Sequence, residues 1–332
     1  MNAARRLTIH SIGAGLAAAA LAVLAPHAHA QGDAKSPLPD KPMRLVVPYS
    51  AGGGTDIVAR HLADRLRTRL NRTIVVENKP GANGVIGTDL VAKSPPDGST
   101  MVLVVNTHLL NPLLMKKLPY DTFKDLTPIT KVATSPLVVV VSSDVPAHSV
   151  KELTEMMRKN PEKYSYGSSE NMTRLVGAMY VKSQGVEPVH VPYKGGAPLM
   201  TDVVSGVTTI GVTSVLTAKQ FITSGRLRAL AVTGAKRTDA LPNVPTMMES
   251  GAKDFEAYTD YSLFAPAGTP RPVLEYLQKE ITATIHTPEM VELLAAQAAV
   301  PVGAPVTETA QQVQKDYQFW QHLVADVGLK AE

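Results

Sequence analysis

Apolar positions in the first third of the chain switch between two periods. Leu45-Val46-Val47 is a short, mostly β-branched run, as expected of a strand covered on both faces. A small-residue stretch follows, Tyr49-Ser50-Ala51-Gly52-Gly53-Gly54. From Thr55 the pattern becomes helical, with Val58, Leu62, Leu66 and Leu70 recurring at every fourth position. The spacing predicts a strand at 44–48, a glycine turn and a helix at 55–70. A second β-branched run covers 73–77, a second glycine turn 78–84, a short helix 85–93 and a third buried strand 100–105.

The apolar run 137–141 carries the chain into a second set of such units. Ser149-Val-Lys-Glu152 is a capping box that starts a helix at 150, ending near Asn160-Pro161. Strands at 164–168, 189–193, 208–213 and 229–233 alternate with helices at 173–184, 197–204 and 218–223. An extended aromatic stretch at 258–264 reads as a return crossing. Helices at 272–285, 289–299 and 307–327 finish the chain, the last anchored in the core by Trp320. Strands alternating with helices predict an α/β fold with parallel sheets covered on both faces. Ligands of such sheets sit beyond the carboxyl ends of the strands. That places 49–56, 78–84 and Asn106-Thr107-His108 along one rim.

Composition changes this picture at the start of the chain. Arg5 and Arg6, an Ala-rich apolar run at 12–24 and Ala28-His29-Ala30 read as a secretory signal peptide, cleaved after Ala30. The expected location is periplasmic, and the remaining 300 or so residues suit two domains. Cys is absent, which excludes disulfides, thiolate zinc sites and cysteine nucleophiles. The formal charge of +4 drops by two with the signal, too little to imply nucleic acid. No Gly-x-Ser-x-Gly elbow occurs, and His61, His108, His190 and His286 are scattered without metal-ligand spacing. No cofactor, no metal and no enzymatic activity are expected.

Strand, glycine turn and helix start make an anion site, because the first N–H groups of a helix lack partners and its dipole favours negative charge. The same residues also suit a tight turn with no ligand. The stretch is not a P-loop, since no Gly-Lys-Ser/Thr closes it, nor a good dinucleotide fingerprint.

Several blocks together resemble a known family. They are Met43-Arg-Leu-Val-Val-Pro-Tyr, Ala51-Gly-Gly-Gly-Thr-Asp-Ile-Val-Ala-Arg60, Val76-Glu-Asn-Lys-Pro-Gly-Ala-Asn-Gly-Val-Ile-Gly87 and Pro96-Asp-Gly-Ser-Thr100. Tyr166-Gly-Ser-Ser169, Val191-Pro-Tyr-Lys-Gly195, Arg228-Ala-Leu-Ala-Val-Thr233, Pro245-Thr-Met-Met-Glu-Ser-Gly251 and Ala265-Pro-Ala-Gly-Thr-Pro270 continue the series. In order, these look like the extracytoplasmic solute receptors of tripartite tricarboxylate transporters, the Bug family. The resemblance implies a two-lobed periplasmic binding protein with two hinge crossings, each lobe a sheet flanked by helices. Lobe 1 would hold 31–135 and 260–332, and lobe 2 would hold 136–259. A monomer would close on a small carboxylate and deliver it to membrane components of the transporter. An exported chemoreceptor or an exported hydrolase are the alternatives. The implied site comprises Tyr49, Ser50, Ala51, Gly52, Gly53, Gly54, Thr55 and Asp56, with Thr107, His108, Ser168, Ser169, Glu170, Thr173 and Tyr193. Within it, Gly53 is the expected point of close solute approach. The chain departs from the family pattern after Tyr166-Gly-Ser-Ser169, where Glu170, Met172 and Val176 replace the usual glycine-rich turn and histidine. Glu170 either pairs with Arg174 along the helix surface or stands at the cleft edge beside an apolar Met172 wall.

Overall fold

The computed structural model describes residues 36–296 and 298–331. The expected signal peptide and its expected cleavage site lie outside the described residues. From Pro37 onward the chain forms one compact unit.

The first units follow the hydrophobic pattern closely. They are β1 (Met43–Val47), α1 (Gly54–Leu70), β2 (Ile74–Asn78), α2 (Val85–Ala92) and β3 (Thr100–Val104). A helix that the pattern did not predict follows, α3 (Thr107–Leu114), with Pro112 inside it. Then comes β4 (Leu126–Ser142), a strand of 17 residues. The second set comprises α4 (Val150–Lys159), β5 (Ser165–Ser168), α5 (Asn171–Gln184), β6 (Val189–Pro192), α6 (Gly196–Val204), β7 (Ile210–Ser214), α7 (Val215–Thr223) and β8 (Leu227–Val232). The chain ends with β9 (Tyr258–Pro266), α8 (Arg271–Ile285), α9 (Pro288–Ala295), β10 (Val300–Pro301) and α10 (Val306–Val327).

The strands lie in the order β2-β1-β3-β9-β4-β7-β5-β6, with β8 and β10 also pairing β4. The outer pairs β1–β2, β1–β3, β5–β6 and β5–β7 are parallel, as expected. The centre is not. β4 runs antiparallel to β9 from Leu126↔Pro266 to Pro136↔Tyr258, then antiparallel to β7 from Leu137↔Ser214 to Val141↔Ile210. One long strand therefore belongs to both halves of a mixed sheet. Only its second half reads as a strand in the sequence, because Pro128, Lys131 and Pro136 interrupt the first. Register shifts between Pro128 and Thr130 and between Lys131 and Ala133 absorb that irregular pattern.

Three apolar clusters hold the layers together. Leu45, Val47, Leu62 and Leu66 pack with Leu277 and Ile281 of α8 on one face of the first half-sheet. Val313, Trp320 and Val324 of α10 join Val104 and Phe264 on the other. Val138 and Val140 meet Leu199, Val203 and Val215 in the second half. Lys131 of β4 binds Asp260 of β9 at 2.6 Å and Asp316 of α10 at 3.4 Å, fixing that helix across the two central strands.

Candidate functional site

The glycine turn after β1 takes its shape from one backbone conformation and one carboxylate. Gly52 adopts φ +78°, in the left-handed region that disfavours side chains. Asp56, in the first turn of α1, accepts from Gly52 N, Arg60 Nε and Asn78 Nδ2, each at 2.9 Å. Burial works to raise the Asp56 carboxyl, but these bonds together hold it below the ordinary carboxylate range. The side chain is 3% exposed. Asp56 therefore braces the turn and does not face the cleft.

Beyond the turn, Tyr49, Ser50, Gly53, Gly54 and Thr55 line one wall of a cavity of about 50 Å³. Ser169, Glu170, Thr173, Gly195, Gly196, Thr213, Ser214 and Thr217 line the facing wall, and Leu137, Thr259 and Tyr261 of the central strands close it. Ser50 Oγ donates to the Lys194 carbonyl at 3.2 Å and so joins the two walls. Tyr49, Ser50 and Ser169 also border a wider groove of about 580 Å³, together with Tyr193, Lys194 and residues 80–84.

Four helices begin at this cavity: α1 at Gly54, α5 at Asn171, α6 at Gly196 and α7 at Val215. Their first N–H groups have no acceptor within the helix, and their dipoles add a positive potential. Two ends are already partly satisfied. Ser214 caps α7 by accepting from Thr217 N at 3.3 Å. On α5, Thr107 Oγ1 accepts from Met172 N at 3.1 Å, and Thr173 Oγ1 accepts from Ser169 N and Glu170 N.

The walls are close. A Cβ at Gly54 would lie 2.7 Å from Ser214 Oγ and 3.0 Å from Tyr261 Oη, whereas one at Gly53 would meet only the Ser50 carbonyl at 3.4 Å. The sterically critical glycine is thus Gly54 rather than Gly53. Of the 16 lining residues, Glu170 alone is formally charged. Burial pushes its carboxyl up to about 7, with a hydrogen bond from Thr107 Oγ1 at 3.2 Å pulling the other way. Tyr49 and Tyr261 are themselves pushed up, first by burial and then by the nearby Glu170 charge.

The remaining expected residues sit elsewhere. Ala51 and Gly52 are on the exposed outer edge of the turn. Thr107 is buried behind Glu170. Ser168 is buried and bonded to His190 Nε2 at 2.8 Å. Tyr193 lines the wider groove, its hydroxyl held by Asp202 and Thr208. His108 faces away, lining a different cavity of about 260 Å³ with Lys131, Asp260 and Asp316. It meets Phe264 edge-on, and burial lowers it to about 4, so it is neutral. Met172 is fully buried in the core and forms no part of the cleft wall.

Some lining residues were missed from the sequence. Thr213-Ser214 ends a strand just before a helix, as Ser168-Ser169 does, and that signal was available. Thr259 and Tyr261 face the cleft while Asp260 and Ser262 face the other cavity. The alternation is plain strand geometry, but nothing in the sequence says which face is which.

Comparison with known proteins decides the family. Residues 58–329 match the family described as TctC, tripartite tricarboxylate transporter family receptor. The chain belongs to the tripartite tricarboxylate transporter receptor family. This receptor is 33% identical to the protein BugT of Bordetella pertussis over 88% of its own chain and 91% of BugT. It is similar to the solved periplasmic binding protein BugD, with 36% identity and a TM-score of 0.85 over 89% of this chain and 100% of that one. It is also similar to R. palustris Rpa4515, solved with adipate, with 30% identity and a TM-score of 0.86 over 89% and 99% of the two chains. The receptor is thus a substrate-binding protein of a periplasmic family, not an enzyme. No helix among the described residues is long and apolar enough to cross a membrane.

Proposed function

We propose that this receptor captures a small organic carboxylate in the cavity between the β1–α1 turn and the starts of α5, α6 and α7. The observation that carries this reading is the convergence of helix N-termini on one cavity, those of α1 and α6 without a side-chain cap, with no Lys, Arg or His among the described lining residues. Dipoles and N–H groups there supply what a cationic side chain supplies elsewhere. Charge-assisted hydrogen bonds contribute about 1.5–3 kcal/mol each. Four of them give roughly 6–12 kcal/mol before the costs of association, against about 8 kcal/mol for micromolar binding. The acid bound to the similar R. palustris protein has the same chemistry.

The chain would work as two lobes, 31–135 with 260–332 and 136–259, joined by β4 and β9 near 133–137 and 257–263. The Ser50–Lys194 hydrogen bond would belong to the closed form. The monomeric receptor would then present the solute to the membrane components of a tripartite tricarboxylate-type transporter, after export and cleavage at Ala30. The family description supports that partnership. A thermal-shift screen against small mono-, di- and tricarboxylates tests the reading: stabilisation by at least one acid and not by its amide is expected. Stabilisation by none would overturn it.

A further inference from the structure

We infer that the solute is an amino carboxylate, whose ammonium group pairs with Glu170 while its carboxylate sits on the helix starts opposite. The inference rests on the carboxylate-receptor reading and sharpens it. The cavity lining is of two chemical kinds. Gly53-Gly54-Thr55, Gly195-Gly196 and Ser214 offer backbone and hydroxyl donors without a charged side chain. The start of α5, by contrast, is not open to an anion. Thr107 already accepts from Met172 N, Thr173 occupies the Ser169 and Glu170 N–H groups, and the chain's own carboxylate, Glu170, stands at the helix entrance.

Glu170 itself is under-partnered. Among the described residues its carboxylate accepts from Thr107 Oγ1 and, in the capping box of α5, from Thr173 N, and it has no ion pair. An ionised carboxylate has room for about four hydrogen bonds. A plain monocarboxylate would bring a second negative charge into a narrow cavity whose only formally charged residue, among the described residues, is already acidic. A dicarboxylate would bring two. An ammonium group removes the conflict, because it carries three donors and the opposite charge. Tyr49 and Tyr261, which also face Glu170, are neutral donors and cannot neutralise it. Lys194 contributes its carbonyl to Ser50 and lines the outer groove, not this cavity. Specificity of this kind comes from repulsion as much as attraction: Glu170, when ionised, disfavours polyanions that the helix starts alone would welcome.

The test is calorimetric titration of the full-length purified chain with matched ligands of three to six carbons. Each amino carboxylate is compared with the unsubstituted acid, the dicarboxylate and the amide-bearing acid of the same length. The wild-type protein is expected to bind its best amino carboxylate at least about 10-fold tighter than the matched acids. Glu170→Gln keeps the shape and is expected to lose roughly 10- to 100-fold for the amino carboxylate and to gain for the plain acid. A wild-type preference for the plain acid or dicarboxylate overturns the inference without any variant. So does equal binding of the amide-bearing acid, or a Glu170→Gln protein with an unchanged preference. Failure of every acid to bind is a different result, which removes the carboxylate reading itself.

Discussion

Thr107 of α3 donates its hydroxyl to the Glu170 carboxylate at 3.2 Å, and the same oxygen accepts from Met172 N at 3.1 Å. One buried side chain at the start of α3 thus sets both the first turn of α5 and the one charged group among the described residues that line the cavity. Thr107→Val keeps the volume but removes both bonds. It is expected to destabilise the fold by about 1–3 kcal/mol, the cost of an unsatisfied buried polar group. Thr107→Ser should recover most of that loss in urea unfolding. Equal stability of the valine variant would show that the contact is incidental.

Glu170 also gives stability a pH dependence. Its folded carboxyl titrates at about 7 against an ordinary 4.5. An acid raised in this way favours folding fully below pH 4.5, and that contribution is lost as the pH rises through 7. Tyr49 and Tyr261 stay neutral across this window because both are pushed upward. Ligand-free Glu170→Gln protein should therefore out-melt wild type more at about pH 8 than at about pH 5, by at most roughly 3 kcal/mol. A gap independent of pH would mean that the carboxylate is well solvated.

The close approach of α1 to the facing wall makes Gly54 the sensitive position. Gly54→Val would drive carbon into Ser214 and Tyr261, while Gly53 has space for a methyl group. Solute affinity is expected to fall by roughly 100-fold or more in Gly54→Val and by less than about 5-fold in Gly53→Ala. Circular dichroism confirms folding of each variant. The reverse order of effects would put the solute elsewhere.

Lobe closure has a global readout. A solute that touches both walls stabilises the closed form by its differential affinity for that form. Small-angle scattering should record a smaller radius of gyration at saturation. An unchanged radius with measurable binding would argue for a rigid site.

How much of this was legible in the sequence follows from what fixes each feature. β1, the turn and α1 are local: β-branched residues, three glycines and a four-residue apolar repeat leave few options. The Ser149 cap is equally local, and Ser149 Oγ does accept from Glu152 N at 3.1 Å. The first half of β4 was hidden, because bulges accommodate its prolines and its partner β9 lies more than a hundred residues away. α3 was hidden by Pro112. In the site, the glycine and hydroxyl loops announced themselves by composition. The directions of Glu170, Met172 and His108 did not. Glu170 is the extended N-cap of α5 and Met172 lies two residues on, inside the helix, so Glu170 entered the cleft while Met172 entered the core. His108 turned its back on Thr107's cleft and packed on Phe264.

The central claim is that an anionic carboxylate, held by helix starts, is what the cavity recognises. Calorimetric titration of the receptor with its best acid and with the isosteric neutral amide tests it most directly. The account predicts micromolar or tighter binding of the acid, with the amide at least about 100-fold weaker, a loss of roughly 2.7 kcal/mol. Equal affinity for acid and amide would contradict it.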